Sequence, residues 1–212
     1  MLEGTEGSGK TTIAERLVGA YRALGRDAIV TREPGGTAIG EMIREVLFAP
    51  ASLTMRAETE ALLFAAARAQ HVAEVIRPAL DRGGVVISDR FTDSSLAYQW
   101  GGRGLPRDLV DAAQRFATDG LDPDLKLLLD VPVEIGLRRR LRKQADANRL
   151  DHESREFHAR VRDAYHSLVE ANPKRWRIID ASRPRDDVWQ DVWSAIVGAD
   201  PFMAHESLHQ QT

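Results

Sequence analysis

No cysteine occurs among the 212 residues, which excludes disulfides, thiolate metal sites and cysteine nucleophiles. There is no apolar run approaching the roughly 18 residues of a membrane span. Met1 leads into Glu3 and Gly4 rather than a signal-peptide core, so the expected location is cytoplasmic, with no membrane partner. Charge of one sign is also lacking. Lys and Arg number 29 against 32 Asp and Glu, for a net charge of -3, so no nucleic acid partner is expected. Repeats and low-complexity linkers are absent. What remains is an ordinary globular composition, 43% hydrophobic, in a chain of one-domain length.

Short β-branched apolar runs alternate with longer helical patterns. Residues 28–31, 85–88, 127–131 and 177–180 read as strands buried on both faces. Helical periodicity covers 11–24, 39–47, 58–80, 106–117, 133–142, 154–171 and 186–197. This alternation predicts an α/β fold, a parallel five-stranded sheet with helices on both faces. Ligands of such sheets bind at the carboxyl ends of strands, where Asp89, Asp130 and Asp180 fall. A single domain is expected over 1–199, with a loose tail over 200–212.

Gly4-Thr5-Glu6-Gly7-Ser8-Gly9-Lys10-Thr11, followed by Thr12, satisfies the phosphate-binding P-loop pattern. Its glycines let backbone N–H groups turn inward, and the helix that follows aims its positive end at the same point. Lys10 is expected to reach the β- and γ-phosphates of ATP, and the Thr11 hydroxyl to hold Mg²⁺. The strand 85–88 ends in Asp89-Arg90, a Walker-B-like position from which Asp89 can orient Mg²⁺, directly or through water, while Arg90 neutralises phosphoryl oxygens. Only three residues precede Gly4, whereas a strand usually needs about five. The first strand is therefore expected to be truncated, with residues missing ahead of Met1.

A second motif competes. His205-Glu206-Ser207-Leu208-His209 has the spacing of a zinc-protease helix, but three residues remain for a third ligand and no apolar face would bury it. His71, His152, His158 and His166 lie in helical stretches without close ligand partners in sequence, and are expected at the surface or in packing.

Thr31-Arg32-Glu33-Pro34-Gly35-Gly36-Thr37 forms a tight turn able to bring Arg32 beside a phosphate. Phe64 and Arg68, four apart, share one helix face and offer an aromatic surface with a donor; the plain alternative is a core Phe with a solvent-facing Arg. In order along the chain, LEGTEGSGKTT (2–12), TREPGGT (31–37), LFAAARAQ (63–70), DRF (89–91), SSLAYQ (94–99), GGRG (101–104) and LLLDV (127–131) resemble the bacterial thymidylate kinases, a P-loop nucleoside monophosphate kinase family.

The resemblance implies a three-layer P-loop kinase fold, a homodimer, and transfer of the γ-phosphate of ATP to dTMP. It implies that Glu6 contacts the sugar 3′-hydroxyl, that Arg32 and Arg90 hold the dTMP phosphate, that Phe64 stacks on thymine and that Arg68 bonds its O4. Ser95 and Gln99 then stand near the base, and Tyr98 crowds the place of a ribose 2′-hydroxyl. It also implies a mobile lid near 138–153 that supplies Arg149 to the transition state, because position 8 of the P-loop is Ser rather than Arg. Rival readings are another pyrimidine nucleotide or deoxynucleoside kinase, and a truncated nucleotide-binding remnant without turnover.

Overall fold

The computed structural model describes residues 1–142 and 149–199. The tail and its two histidines, and positions 143–148 of the expected lid, lie outside the described residues. Five strands, β1 (Leu2–Glu3), β2 (Ala28–Arg32), β3 (Val85–Asp89), β4 (Lys126–Asp130) and β5 (Trp176–Asp180), form one parallel sheet in the order β2-β3-β1-β4-β5. The expected parallel five-stranded sheet is therefore present. Its first strand has two residues and sits at the centre. Leu2 and Glu3 face Leu127 and Leu128 of β4, and Leu2 also faces Asp89 of β3. Backbone bonds bracket this stub: Arg90 N donates to Leu2 O (2.9 Å) and Leu127 N to Met1 O (2.9 Å).

Nine α-helices accompany the sheet among the described residues: α1 (Lys10–Ala23), α2 (Ala38–Phe48), α3 (Ala57–His71), α4 (Arg77–Asp81), α5 (Thr92–Ser95), α6 (Arg107–Thr118), α7 (Val133–Leu141), α8 (Arg155–Ala171) and α9 (Arg185–Val197). Strand alternation divides their packing. Leu127 and Leu129 of β4 join Leu2, Ile87, the α1 residues Ile13, Leu17 and Val18, and the α9 residues Val188 and Val192 in one core. Leu128 points the other way, into a second core with Leu96, Val110, Phe157, Val161 and Tyr165. Helices thus cover both faces.

The strands are not all buried on both faces, however. Only β1 and most of β4 are, β3 being half-buried at Val85, Val86 and Asp89. β2 and β5 lie at the sheet edges, where the helix layers reach less far, and leave Val30 and Ile178 exposed. A second difference concerns residues 92–102, which carry no regular apolar period. They form a continuous helix, α5 running into a π-helical stretch, Leu96–Gly102, whose two terminal glycines press against α8: a Cβ on Gly101 would lie 2.4 Å from the Cβ of Ala164. Local chemistry explains other boundaries. Thr37 ends the TREPGGT turn and caps α2 by accepting from Gly40 N at 2.9 Å, and Ser154 caps α8 through Phe157 N at 3.2 Å.

Because α1 both closes the first core and carries the P-loop, its packing is a test of the fold. Leu17 is 2% exposed. Leu17→Ala is expected to lower unfolding free energy by about 2–5 kcal/mol in a urea titration.

Candidate active site

The P-loop runs from the end of β1 into α1, and its glycines take the backbone where other residues do not go. Gly4, Gly7 and Gly9 have φ of 138°, 71° and 93°. Lys10 folds into the loop it follows, donating to Gly4 O and Thr5 O at 2.9 Å and to Ser8 Oγ at 3.1 Å. Burial, with Arg90 nearby, draws its pKa down to about 8. The Thr11 hydroxyl donates to Asp89 Oδ2 at 2.6 Å, joining the two residues expected to serve Mg²⁺. These groups line a cleft of about 1160 Å³ with Thr12, Arg32, Phe64, Ser95, Tyr98 and Gln99.

Arg90 lies at the centre of that cleft's polar floor. Its backbone is left-handed (φ 76°), a conformation costing about 1–2 kcal/mol outside glycine. Its Nη2 donates to Glu6 Oε1 (3.2 Å) and Tyr98 OH (3.1 Å), and its Nη1 to Ser94 Oγ (3.1 Å) and Tyr165 OH (3.3 Å). Tyr98 OH in turn donates to Glu6 Oε1 at 2.5 Å. Burial works against the Glu6 charge, but His158, Arg90, Lys10 and Tyr98 outweigh it and hold its pKa down to about 2. His158 Nδ1 is 3.3 Å from Glu6 Oε2, yet neither His158 nitrogen nor that oxygen completes a hydrogen bond among the described residues. The formed bonds to Glu6 are those of Tyr98 and Arg90.

Not every expected residue meets in this cleft. Arg68 is 1% exposed and stands beneath it, the reverse of a solvent-facing arginine. It donates to Glu33 Oε2 (2.6 Å), Ser95 Oγ (2.9 Å), Gln114 Oε1 and Phe91 O (2.7 Å), so four of its five N–H groups have protein acceptors. Arg32 is half-exposed at the rim, paired with Glu41 at 3.1 Å. Arg149 does not line the cleft. Its side chain is buried, donating to Leu47 O at 3.2 Å and paired with Glu60 at 2.7 Å. Among the described residues, the cations of the lid region that do line the cleft are Arg139, Arg140 and Arg142.

Several participants have no role that the sequence motifs assign. Glu3 is fully buried, and burial with Asp93 nearby pushes its carboxyl upward against the pull of Arg90, Ser94 and Tyr165. Glu60 receives Gln99 Nε2 and the Arg103 guanidinium, fixing Gln99 at the cleft wall. His71, fully buried, bridges Glu33 Oε1 (2.9 Å) and Thr31 Oγ1 (2.6 Å). Both buried histidines are therefore in packing, as expected, but each stands beside a carboxylate that sequence spacing does not reveal. At the far end of the cleft, Arg139 donates to Ala181 O and Ser182 O beyond β5.

A glycine cradle leaving the central strand of a parallel sheet, with an acid and a base waiting on the next strand, defines a P-loop phosphotransferase. The comparison with known proteins is more specific. A thymidylate kinase family model matches residues 2–192. The thymidylate kinase of Thermomicrobium roseum is 52% identical over 194 residues, 92% of this chain and 91% of its own length. Those of Pseudomonas savastanoi pv. phaseolicola and Methylobacillus flagellatus are 50% and 48% identical over 187 and 191 residues. The chain belongs to the thymidylate kinase family.

The depressed Glu6 carboxyl makes a pH prediction. Its folded value, about 2, lies below the ordinary 4.5, so its contribution to stability is complete above about pH 4.5 and is lost as pH falls through about 2. Relative to Glu6→Gln, the unmodified protein should lose unfolding free energy across that window and not above it, as measured by urea unfolding at a series of pH values.

Proposed function

We propose that this chain transfers the γ-phosphate of ATP to the 5′-phosphate of dTMP, giving dTDP and ADP. The observation that carries the reading is that Glu6 belongs to both halves of the cleft. It is a residue of the phosphate cradle, and its carboxylate is bound to Tyr98 and Arg90 on the acceptor side. In this scheme the P-loop amides and Lys10 hold the donor phosphates. An oxygen of the acceptor phosphate attacks the γ-phosphorus as the bridging P–O bond to ADP breaks. Arg90 and Arg32 hold the acceptor phosphate, Phe64 stacks on thymine, Glu6 takes the 3′-hydroxyl and Tyr98 fills the 2′ position. Ser95 and Gln99 border the base, and Arg68 holds Ser95 from behind. The lid cation is assigned by resemblance to Arg149, which reaches the phosphates only on leaving Glu60; Arg140 and Arg142 already line the cleft.

Among the described residues no group of three or more His, Asp or Glu could cage a metal. The adjoining oxygens of Thr11 and Asp89 instead fit Mg²⁺, which keeps waters and substrate phosphates in its shell. An ion held there would supply charge neutralisation at the donor phosphates. Thr11 would supply a hydroxyl ligand and Asp89 would orient the ion's waters.

A coupled ADP-release assay across the nucleoside monophosphates tests the activity. dTMP should be preferred over dUMP and over ribonucleotides, and Lys10→Ala should lower kcat by a factor on the order of 10² to 10³ without unfolding the protein. Turnover that ignores dTMP, or that survives Lys10→Ala, defeats the assignment.

We further propose a homodimer. Among the described residues, no helix is long and apolar enough to cross a membrane. Yet neighbouring α2, α3 and α6 expose Met42, Val46, Leu62, Leu109 and Phe116, the last at 91%. A second copy meeting the same face buries this stripe by two-fold symmetry. Phe116→Asp should shift sedimentation equilibrium towards monomer; an unmodified protein that sediments as a monomer removes the proposal.

A further inference from the structure

Nothing in the transfer scheme uses Glu3, although it lies directly beneath the acceptor-side arginine. It ends central strand β1 with its side chain turned towards α5 and α8, and it is fully buried. A charge in such a place costs several kcal/mol unless it is well bonded. Its carboxylate receives four donors: Phe91 N (2.9 Å) and Ser94 N (3.1 Å) at Oε1, and Ser94 Oγ (2.5 Å) and Tyr165 OH (2.7 Å) at Oε2.

The two amides make Glu3 the N-terminal cap of α5, supplied from another strand because Phe91 has no capping side chain. The two hydroxyls have a different consequence. Each has one proton to give. Ser94 Oγ and Tyr165 OH lie 2.9 Å apart, and left to themselves one would donate to the other. Glu3 takes both protons, which leaves the lone pairs of both oxygens for Arg90 Nη1, at 3.1 and 3.3 Å. The guanidinium is then fixed on this side by two oriented acceptors, and on the other by Glu6 and Tyr98.

We propose that Glu3 is a positioning residue for phosphoryl transfer, fixing Arg90 for the acceptor phosphate through the hydroxyl orientations of Ser94 and Tyr165. This rests on the reading that Arg90 holds that phosphate. The left-handed backbone of Arg90 gives the arrangement a task, since a residue in that conformation persists only where its surroundings hold it. Glu3 bonds the very next amide, Phe91 N, as well as the acceptors of the side chain.

Glu3→Gln keeps the shape and reverses the polarity. An amide nitrogen facing the two hydroxyls donates where the carboxylate accepted, so the hydroxyl protons turn away and the lone pairs are contested with Arg90. The experiment is calorimetric binding of dTMP and of ATP to the unmodified protein, Glu3→Gln and Tyr165→Phe, each also in an Arg90→Lys background, with thermal midpoints in parallel. Glu3→Gln should weaken dTMP binding by about tenfold or more, and Tyr165→Phe by about threefold, while ATP binding changes less than about twofold. In the Arg90→Lys background, where the fork is gone, the cost of Glu3→Gln should shrink to less than about twofold. Equal cost in both backgrounds, or equal loss of ATP and dTMP binding, makes Glu3 structural only and overturns the proposal. If Arg90→Lys itself leaves dTMP binding intact, the reading of Arg90 fails instead. Should Glu3→Gln not fold, Glu3→Asp carries the same comparison, since it keeps the charge but withdraws it by one methylene from the hydroxyls.

Discussion

Backbone against backbone, with no room for a side chain, is how the phosphate loop meets α7. A Cβ on Gly7 would stand 2.1 Å from Gly136 O, and one on Gly136 would stand 2.5 Å from Glu6 O. Two glycines far apart in sequence therefore interlock the P-loop with the start of α7. The loop can wind tightly enough to place Lys10 among its own carbonyls and Ser8 because α7 lets it through. In return, the position of α7 sets where Arg139 and Arg140 reach the cleft. A side chain at either glycine would prise the cradle open and deprive the cations on the far side of their reference point.

The acceptor side is organised by buried acids rather than by close approach. Glu3, Glu33 and Glu60 come from three different segments, and each holds arginine-bearing structure in place: Glu3 through two hydroxyls to Arg90, Glu33 directly to Arg68, and Glu60 directly to Arg103 and Arg149. Removing one partner from such a pair strands the other charge in the interior, at a cost of about 3–5 kcal/mol. Geometry is therefore specified where a purely apolar core would allow repacking. The wall that faces the nucleotide is stiff for the same reason.

Much of this is legible in the sequence. The four longer strands fall within a residue or so of their β-branched runs, and the P-loop and Asp89-Arg90 signal a phosphate site by chemistry that tolerates few substitutes. What is not legible shares one cause. The burial of an arginine at position 68 or of an acid at position 3 is hidden because burial of charge is permitted only by partners from elsewhere, and spacing within one segment does not record them. The helix over 92–102 is hidden because its cap is Glu3, nearly ninety residues away in the chain, and because a π turn breaks the 3.6 period on which such readings depend. Edge exposure of Val30 and Ile178 is hidden because strand order, and not strand composition, decides which strands are flanked.

Glu6 sits between Thr5 and Gly7, inside the P-loop turn, while its carboxylate bonds Tyr98 and Arg90, the side on which the proposed acceptor lies. Any shift that improves the fit of one nucleotide drags the contact made to the other. Acceptor preference is consequently hard to evolve within the loop, where it would be bound to the donor's alignment. It is free to drift on α3 and on the helix over 92–102, whose side chains meet only the acceptor in the proposed scheme.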